Sequence, residues 1–217
     1  MISALYVQTN GCYFNLDGVD PWDEAKDARE YNGPYPVVAH PPCQRWGKFW
    51  AGQPLFIKQT GIRKVKGDDN GCFEAALNSI RKWGGILEHP WQSHAWPHFN
   101  LEVPKRTGGW IKADEYGGYT CCVEQGKYGH YARKPTLLYA VGTDLPELNW
   151  GKSEMRLDPA VVGRMGLKRA KRLGEVAAKG GGTNSTPRIH TPKAFQDLLI
   201  NIAKTARNRN NNGKKNT

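Results

Sequence analysis

Two short apolar runs, each cut off by a proline-bearing loop, constrain this chain more than anything else in it. Val37-Val38-Ala39 stops at His40-Pro41-Pro42-Cys43-Gln44, and Ile86-Leu87 stops at Glu88-His89-Pro90. Runs this short, aliphatic and ended by proline, read as buried strands. In a parallel α/β sheet, ligands bind beyond the carboxyl ends of such strands. Proline fixes its own φ and restricts the residue before it, so the loop carrying Cys43 is expected to be stiff. His40 and Arg45 close by are expected to favour a thiolate, which makes Cys43 a candidate nucleophile. The plainer alternative is a proline-terminated strand followed by an ordinary semi-buried thiol. If the two strands are parallel neighbours, Glu88 lies beside the Cys43 loop. A carboxylate at the end of a buried strand calls for a partner or a task, the plainer one being a helix cap or a salt bridge.

The rest of the chain is expected to build one α/β domain around this pair, because 217 residues suffice for a single core. Ala4–Thr9 and Cys12–Leu16 flank Asn10-Gly11, a two-residue signal for a β-hairpin. Asp20-Pro21 resembles a helix start, with the helix running to about Tyr31. Residues 72–83 carry Phe73, Ala76, Leu77 and Ile80 at helical spacing. Residues 119–125 and 135–141 read as two strands of a hairpin, whose turn carries Lys127, His130, Arg133 and Lys134. Leu101–Gly118 reads as loop, and one or two short basic helices are expected after Asp158. A linker at Gly180–Ser185 precedes a final helix that begins at Thr191-Pro192 and has Phe195, Leu198, Leu199 and Ile202 on one face. The expected organisation is an α/β domain over 1–179, a linker and docking helix over 180–206, and a disordered basic tail over 207–217.

There are 31 Lys and Arg against 20 Asp and Glu, a net charge of +11 that favours a polyanionic partner, most often nucleic acid. The segment after Cys43 interleaves Lys and Arg with Trp46, Phe49, Trp50 and Phe56, a composition suited to a loop that contacts phosphates and stacks on bases. No stretch approaches ~18 consecutive apolar residues, so no transmembrane helix and no membrane partner are expected. The N-terminus has no basic run before its apolar residues, so no signal peptide is expected. Five cysteines without framework spacing suit a reducing cytoplasm. No CxxC or HExxH spacing is present, so no metal is expected. P-loop and dinucleotide fingerprints are absent.

A Cys on a rigid loop with a Glu on the next strand suits pyrimidine chemistry. A thiolate adds to C6 while a carboxylic acid protonates N3, and C5 becomes nucleophilic. At these residues the chain resembles the cytosine-C5 DNA methyltransferases. AHPPCQRW is similar to their Pro-Cys-Gln loop, LEHP to their Glu-Asn-Val strand end, and YGHYARKPTLLYAVG, more loosely, to their Gln-x-Arg-x-Arg element. The wider arrangement also resembles small bacteriophage proteins with HPPC, EHP and YGH blocks. The resemblance implies a Rossmann-like, mostly parallel sheet with helices on both faces, here with an N-terminal hairpin and basic helical additions at the C-terminal end. It implies Cys43 as nucleophile, Glu88 as the N3 partner and Arg133 as a base or phosphate contact. Around them it implies substrate contacts from His40, Pro42, Gln44, Arg45, Trp46, His89, Gln125, His130 and Lys134. The implied function is DNA modification in the cytoplasm of a bacterial host, with S-adenosylmethionine as methyl donor. The sequence departs from the family in having no Phe-x-Gly-x-Gly turn after the first strand, so no cofactor-binding residues follow from the resemblance. Two other readings remain open: a non-catalytic DNA-binding protein, and a Cys-dependent enzyme acting on a free nucleotide.

Overall fold

A computed structural model describes residues 1–48, 50–51, 54–130, 132–154, 156–157, 159–173 and 190–207. The core is a seven-stranded mixed sheet in the order β2-β1-β3-β4-β7-β6-β5. These strands are β1 (Ile2–Leu5), β2 (Val19–Trp22), β3 (Val37–Ala39), β4 (Gly85–Pro90), β5 (Ile111–Lys112), β6 (Gly118–Glu124) and β7 (Pro135–Val141). β2, β1, β3 and β4 pair in parallel. β7 is antiparallel to both β4 and β6, so β6 runs in the direction of β4. β5 is antiparallel to β6, which leaves five strands of the seven pointing one way.

Alternation along the strands sorts the core into two layers. Leu5, Val37, Ala39 and Leu87 face one side and pack with Phe73, Ala76, Leu77 and Ile80 of α2 (Cys72–Trp83). Ile2, Ala4, Val38 and Ile86 face the other and pack with Phe195, Leu199, Ile202 and Ala203 of the last helix, Lys193–Lys204. Each of the large aliphatic and aromatic side chains buried here contributes about 1.5–3 kcal/mol. Helices thus cover both faces, as the short apolar strands require. β3 and β4 approach so closely that a Cβ on Gly85, at φ +128°, would lie 2.0 Å from the Val37 carbonyl oxygen. Glycine is needed there to bring together the two strands that carry the site.

The front of the chain differs from expectation. No hairpin forms: β1 pairs with β2 in parallel, Ile2 opposite Val19, and residues 10–16 are turns of the crossover between them. Asn10 does adopt a left-handed φ of 56°, but the turn bends the chain so that Tyr13 is buried on the last helix's side of the sheet instead of pairing back. Burial of that ring wins over local hairpin propensity. The helix expected from Asp20 is absent too. Pro21 lies in β2 opposite Ala4, tolerated because β2 is an edge strand that donates no hydrogen bonds outward. Glu24, Ala25 and Lys26 are exposed, so residues 23–27 have no apolar stripe to bury and only a single 3-10 turn forms, at Ala28–Glu30.

The remaining elements follow the expected plan with small changes. The basic segment after Cys43 contains a helix, α1 (Pro54–Thr60), and the expected loop at 101–118 contains the two-residue β5. α3 (Ala95–His98) follows β4, and two short helices, α4 (Pro159–Met165) and α5 (Leu167–Leu173), pack on one another. The last helix is α6, against β4, β3 and β1. The Gly180–Ser185 linker and the tail from 208 onward lie outside the described residues.

Candidate active site

Cys43 is held by the turn it opens. Its carbonyl accepts from the Trp46 and Gly47 amides at 3.1 and 2.8 Å. The Trp46 carbonyl accepts from the His94 amide at 2.7 Å, tying the loop to the start of α3. Trp46 itself is buried, with its ring against Phe73, His98 and Phe99. Its indole N–H donates to Asp69 Oδ2 at 2.7 Å, and the same oxygen accepts from the Phe73 amide in the first turn of α2. The expected base contact at Trp46 is therefore a core anchor that locks the Cys43 loop to α2. Phe49 and the side chain of Phe56 lie outside the described residues, and Trp50 is half-buried with the Lys66 ammonium 5.8 Å from its ring centre.

Strand alternation places His40, Glu88, Thr136 and Gln125 on the α6 side of the sheet, at the ends of β3, β4, β7 and β6. They form one polar row. His40 Nδ1 lies 3.1 Å from Glu88 Oε2, and its Nε2 lies 2.8 Å from the Tyr13 hydroxyl. Gln125 Nε2 donates to Glu88 Oε1 at 3.2 Å and to Thr136 Oγ1 at 3.0 Å. Lys134, at a left-handed φ of 42°, sends its ammonium to the His190 carbonyl at 3.0 Å, just before α6. Cys43 lies at the same end of the sheet, exposed and close enough to Glu88 and Lys134 to feel both charges.

Burial is the largest influence on Glu88 and pushes its pKa up. The hydrogen bond and charge of His40, with the charge of Lys134, outweigh it, and the carboxyl ends below its ordinary value. Glu88 is thus ionised at neutral pH in the free protein, with 16 % of its side chain accessible. The Cys43 thiol is pushed above its ordinary value, first by desolvation and then by the Glu88 carboxylate, against a smaller pull from Lys134. This corrects the expected thiolate: His40 is turned to Tyr13 and Glu88, and the dominant charge at the sulfur is negative. Because both ring nitrogens of His40 are engaged elsewhere, a Cys-His pair of the hydrolase type is not formed.

The other predicted residues are scattered in role. His89 points to the opposite face, buried between Phe73 and Trp96, with Nδ1 2.7 Å from the Ser93 hydroxyl. Desolvation lowers its pKa to about 4. The His130 ring braces its own turn through Ala132. Arg133 donates from Nε to the Ser153 carbonyl at 2.8 Å, towards the segment that Glu124 also holds through Ser153. The cation that acts on Cys43 and Glu88 is its neighbour Lys134. Pro42 and Arg45 are partly buried and Gln44 is exposed. Tyr13 and Thr136 join the row without having been singled out in sequence, since nothing local to NGCYF or KPTLL marks them.

Among the described residues, no group of three or more His, Cys, Asp or Glu is arranged to hold a metal ion. The turn after β1 does not fit the family's mode of holding S-adenosylmethionine. It has no glycine-rich turn, and three of its amides are consumed within the protein: Val7 donates to the Trp22 carbonyl, Gly11 to Gln8 and Phe14 to Gly11. Thr9 is engaged by Asp23 Oδ2. Comparison with family models, with curated proteins and with solved structures finds no match to this chain.

Proposed function

We propose that the chain is a pyrimidine-modifying enzyme of DNA on a Rossmann-like sheet, most simply a cytosine-C5 methyltransferase. One observation carries this: Cys43 and Glu88 lie at the carboxyl ends of adjacent parallel strands, close enough for the carboxylate to act on the thiol. The crossover after β1 covers the α6 face and the connection after β3 runs through α2 on the other, so the Cys43 loop opens beside the point where the winding reverses. Ligands of doubly wound sheets bind there.

In this mechanism the target base enters with N3 against Glu88 and C6 against Cys43. The Cys43 thiol loses its proton to solvent and the sulfur forms a bond to C6, the electrons of the C5–C6 double bond pass into the ring, and N3 takes a proton held by Glu88. That proton reaches Glu88 from His40 Nδ1, with which it shares a hydrogen bond. The Tyr13 hydroxyl accepts from His40 Nε2–H before and after the transfer, because an imidazole that has given up its Nδ1 proton keeps the one on Nε2. Protonating Glu88 also removes the negative charge that adds to desolvation in holding the thiol up, and leaves Lys134 as a nearby charge that favours thiolate. Activation of the base and of the nucleophile is thereby one event. The adduct is nucleophilic at C5 and takes a methyl group from an electrophilic methyl donor, whose remainder departs with the bonding pair. The C5 proton then leaves to solvent and the C6–sulfur bond breaks to restore the base and Cys43. No step is routed through S-adenosylmethionine, whose family site is not reproduced.

Nucleoside mass spectrometry of DNA from cells expressing the protein, beside cells expressing Cys43→Ser, tests this reading. A new pyrimidine heavier by one methyl group is expected only with the native protein. Full modification by Cys43→Ser would sink it.

A further inference from the structure

Gln125 opens the 3-10 turn that follows β6, with 1 % of its surface exposed, and its amide is oriented by its neighbours. Nε2 faces two acceptors. One is the ionised Glu88 carboxylate, and the other is Thr136 Oγ1, whose own proton goes to the Lys134 carbonyl at 3.1 Å. A flipped amide would set its oxygen against the carboxylate, so the oxygen is fixed as the group left over. That oxygen, Oε1, is buried without a hydrogen-bond partner among the described residues. A buried acceptor left unpaired is unfavourable, and an aliphatic side chain of similar size would avoid it. Its place on the same small amide that holds Glu88 says what could pair with it.

A pyrimidine that turns N3 to Glu88 carries its 4-substituent on one side of N3 and O2 on the other. O2 is an acceptor in every pyrimidine base and would oppose Oε1. The 4-substituent is an amino donor in cytosine and a carbonyl acceptor in uracil and thymine. We propose that Gln125 Oε1 accepts a hydrogen bond from the 4-amino group, and that Gln125 is the residue by which the site selects cytosine over uracil and thymine. Thr136 is then a positioning residue, since it holds the amide in the selective orientation. The inference rests on the reading of Cys43 and Glu88 given above and deepens it to the identity of the base.

The test follows C5 hydrogen exchange, which needs no methyl donor. Sulfur bonds to C6, C5 takes a deuteron from heavy water, the original C5 proton leaves to solvent, and the C6–sulfur bond breaks to restore the base. Exchange is measured by mass spectrometry on matched single-stranded oligonucleotides carrying one cytosine or one uracil, and on the free deoxynucleoside monophosphates. The native protein is expected to favour cytosine by at least ~100-fold, well inside what a site built around a substrate N–H achieves. Cys43→Ser is expected to exchange neither base. Gln125→Met is expected to cut the preference at least ~10-fold while Cys43-dependent exchange persists, with Thr136→Val, folded by its thermal transition, in between. Variants that fold and keep the full preference would overturn the role of Gln125 and leave the Cys43 reading intact, as would native protein that handles uracil as fast as cytosine. Native protein that exchanges neither base would overturn both.

Discussion

Glu88 and His89 are adjacent in sequence and face opposite sides of β4, one ionised in a polar row and the other neutral in an aromatic cage. The two respond to acid in separate windows. His89 has a folded pKa of about 4 against an ordinary value of 6.5, so the unfolded chain binds the extra proton between them. Stability from this group is complete above pH 6.5 and declines as pH falls towards 4, by up to roughly 3 kcal/mol at about 1.4 kcal/mol per unit. Glu88, depressed below its ordinary 4.5, contributes above that value and loses its contribution only below it. His89→Phe, which keeps an aromatic ring beside Phe73 and Trp96, is therefore expected to flatten the stability curve between pH 4 and 6.5, measured by urea unfolding, and to leave the steeper decline below it. Glu88→Gln cannot carry a proton to N3 and is expected to slow C5 exchange by ~10²–10⁴, the range of general acid catalysis. Both residues were legible in sequence as strand-end groups, but their faces followed only from register. Tyr13 was not legible, because its partner His40 is 27 residues away and meets it only after the sheet forms.

At the scale of elements, Asp69 joins the Cys43 loop to α2, since one carboxylate oxygen both caps the helix at Phe73 and holds the Trp46 indole. Asp69→Ala removes a cap worth about 1 kcal/mol and leaves a buried indole N–H unpaired at about 1–3 kcal/mol, so a loss of roughly 2–4 kcal/mol is expected in denaturant unfolding. Faster amide exchange at Trp46 and Gly47 should accompany it, because both amides hold the turn that Asp69 anchors. An Asp69→Asn protein should recover part of both losses by keeping an acceptor oxygen. α2 and α6 were legible because each buries one face at helical period, and β3, β4 and the β6–β7 hairpin because they are short apolar runs, buried on both faces, between turn-forming residues. The β1–β2 region was not: Asn10-Gly11 and Asp20-Pro21 carry strong local signals, yet burial of Tyr13 and the edge position of β2 decide the outcome.

For the molecule as a whole, no helix among the described residues is long and apolar enough to cross a membrane, and the excess of cations is the dominant long-range property. Exposed Lys48, Lys58, Arg63 and Lys66 all follow the Cys43 loop within one stretch of chain, on the segment that leads from the proposed nucleophile into α2. If this stretch guides a DNA strand to Cys43, it does so through phosphates, and each phosphate contact releases a counterion. Replacing the four by Gln should then weaken binding to duplexes of unrelated sequence alike, and flatten the slope of log affinity against log salt by about 3–4 at 0.9 per contact. Cys43→Ser should leave that slope unchanged, because a thiol contributes nothing to counterion release. Fluorescence anisotropy across a salt series measures both. A slope untouched by the fourfold change would move the DNA-binding face away from the Cys43 loop. The loss of exchange on oligonucleotides but not on monophosphates in the same fourfold variant would assign delivery of the strand to these cations and recognition of the base to the row from His40 to Gln125.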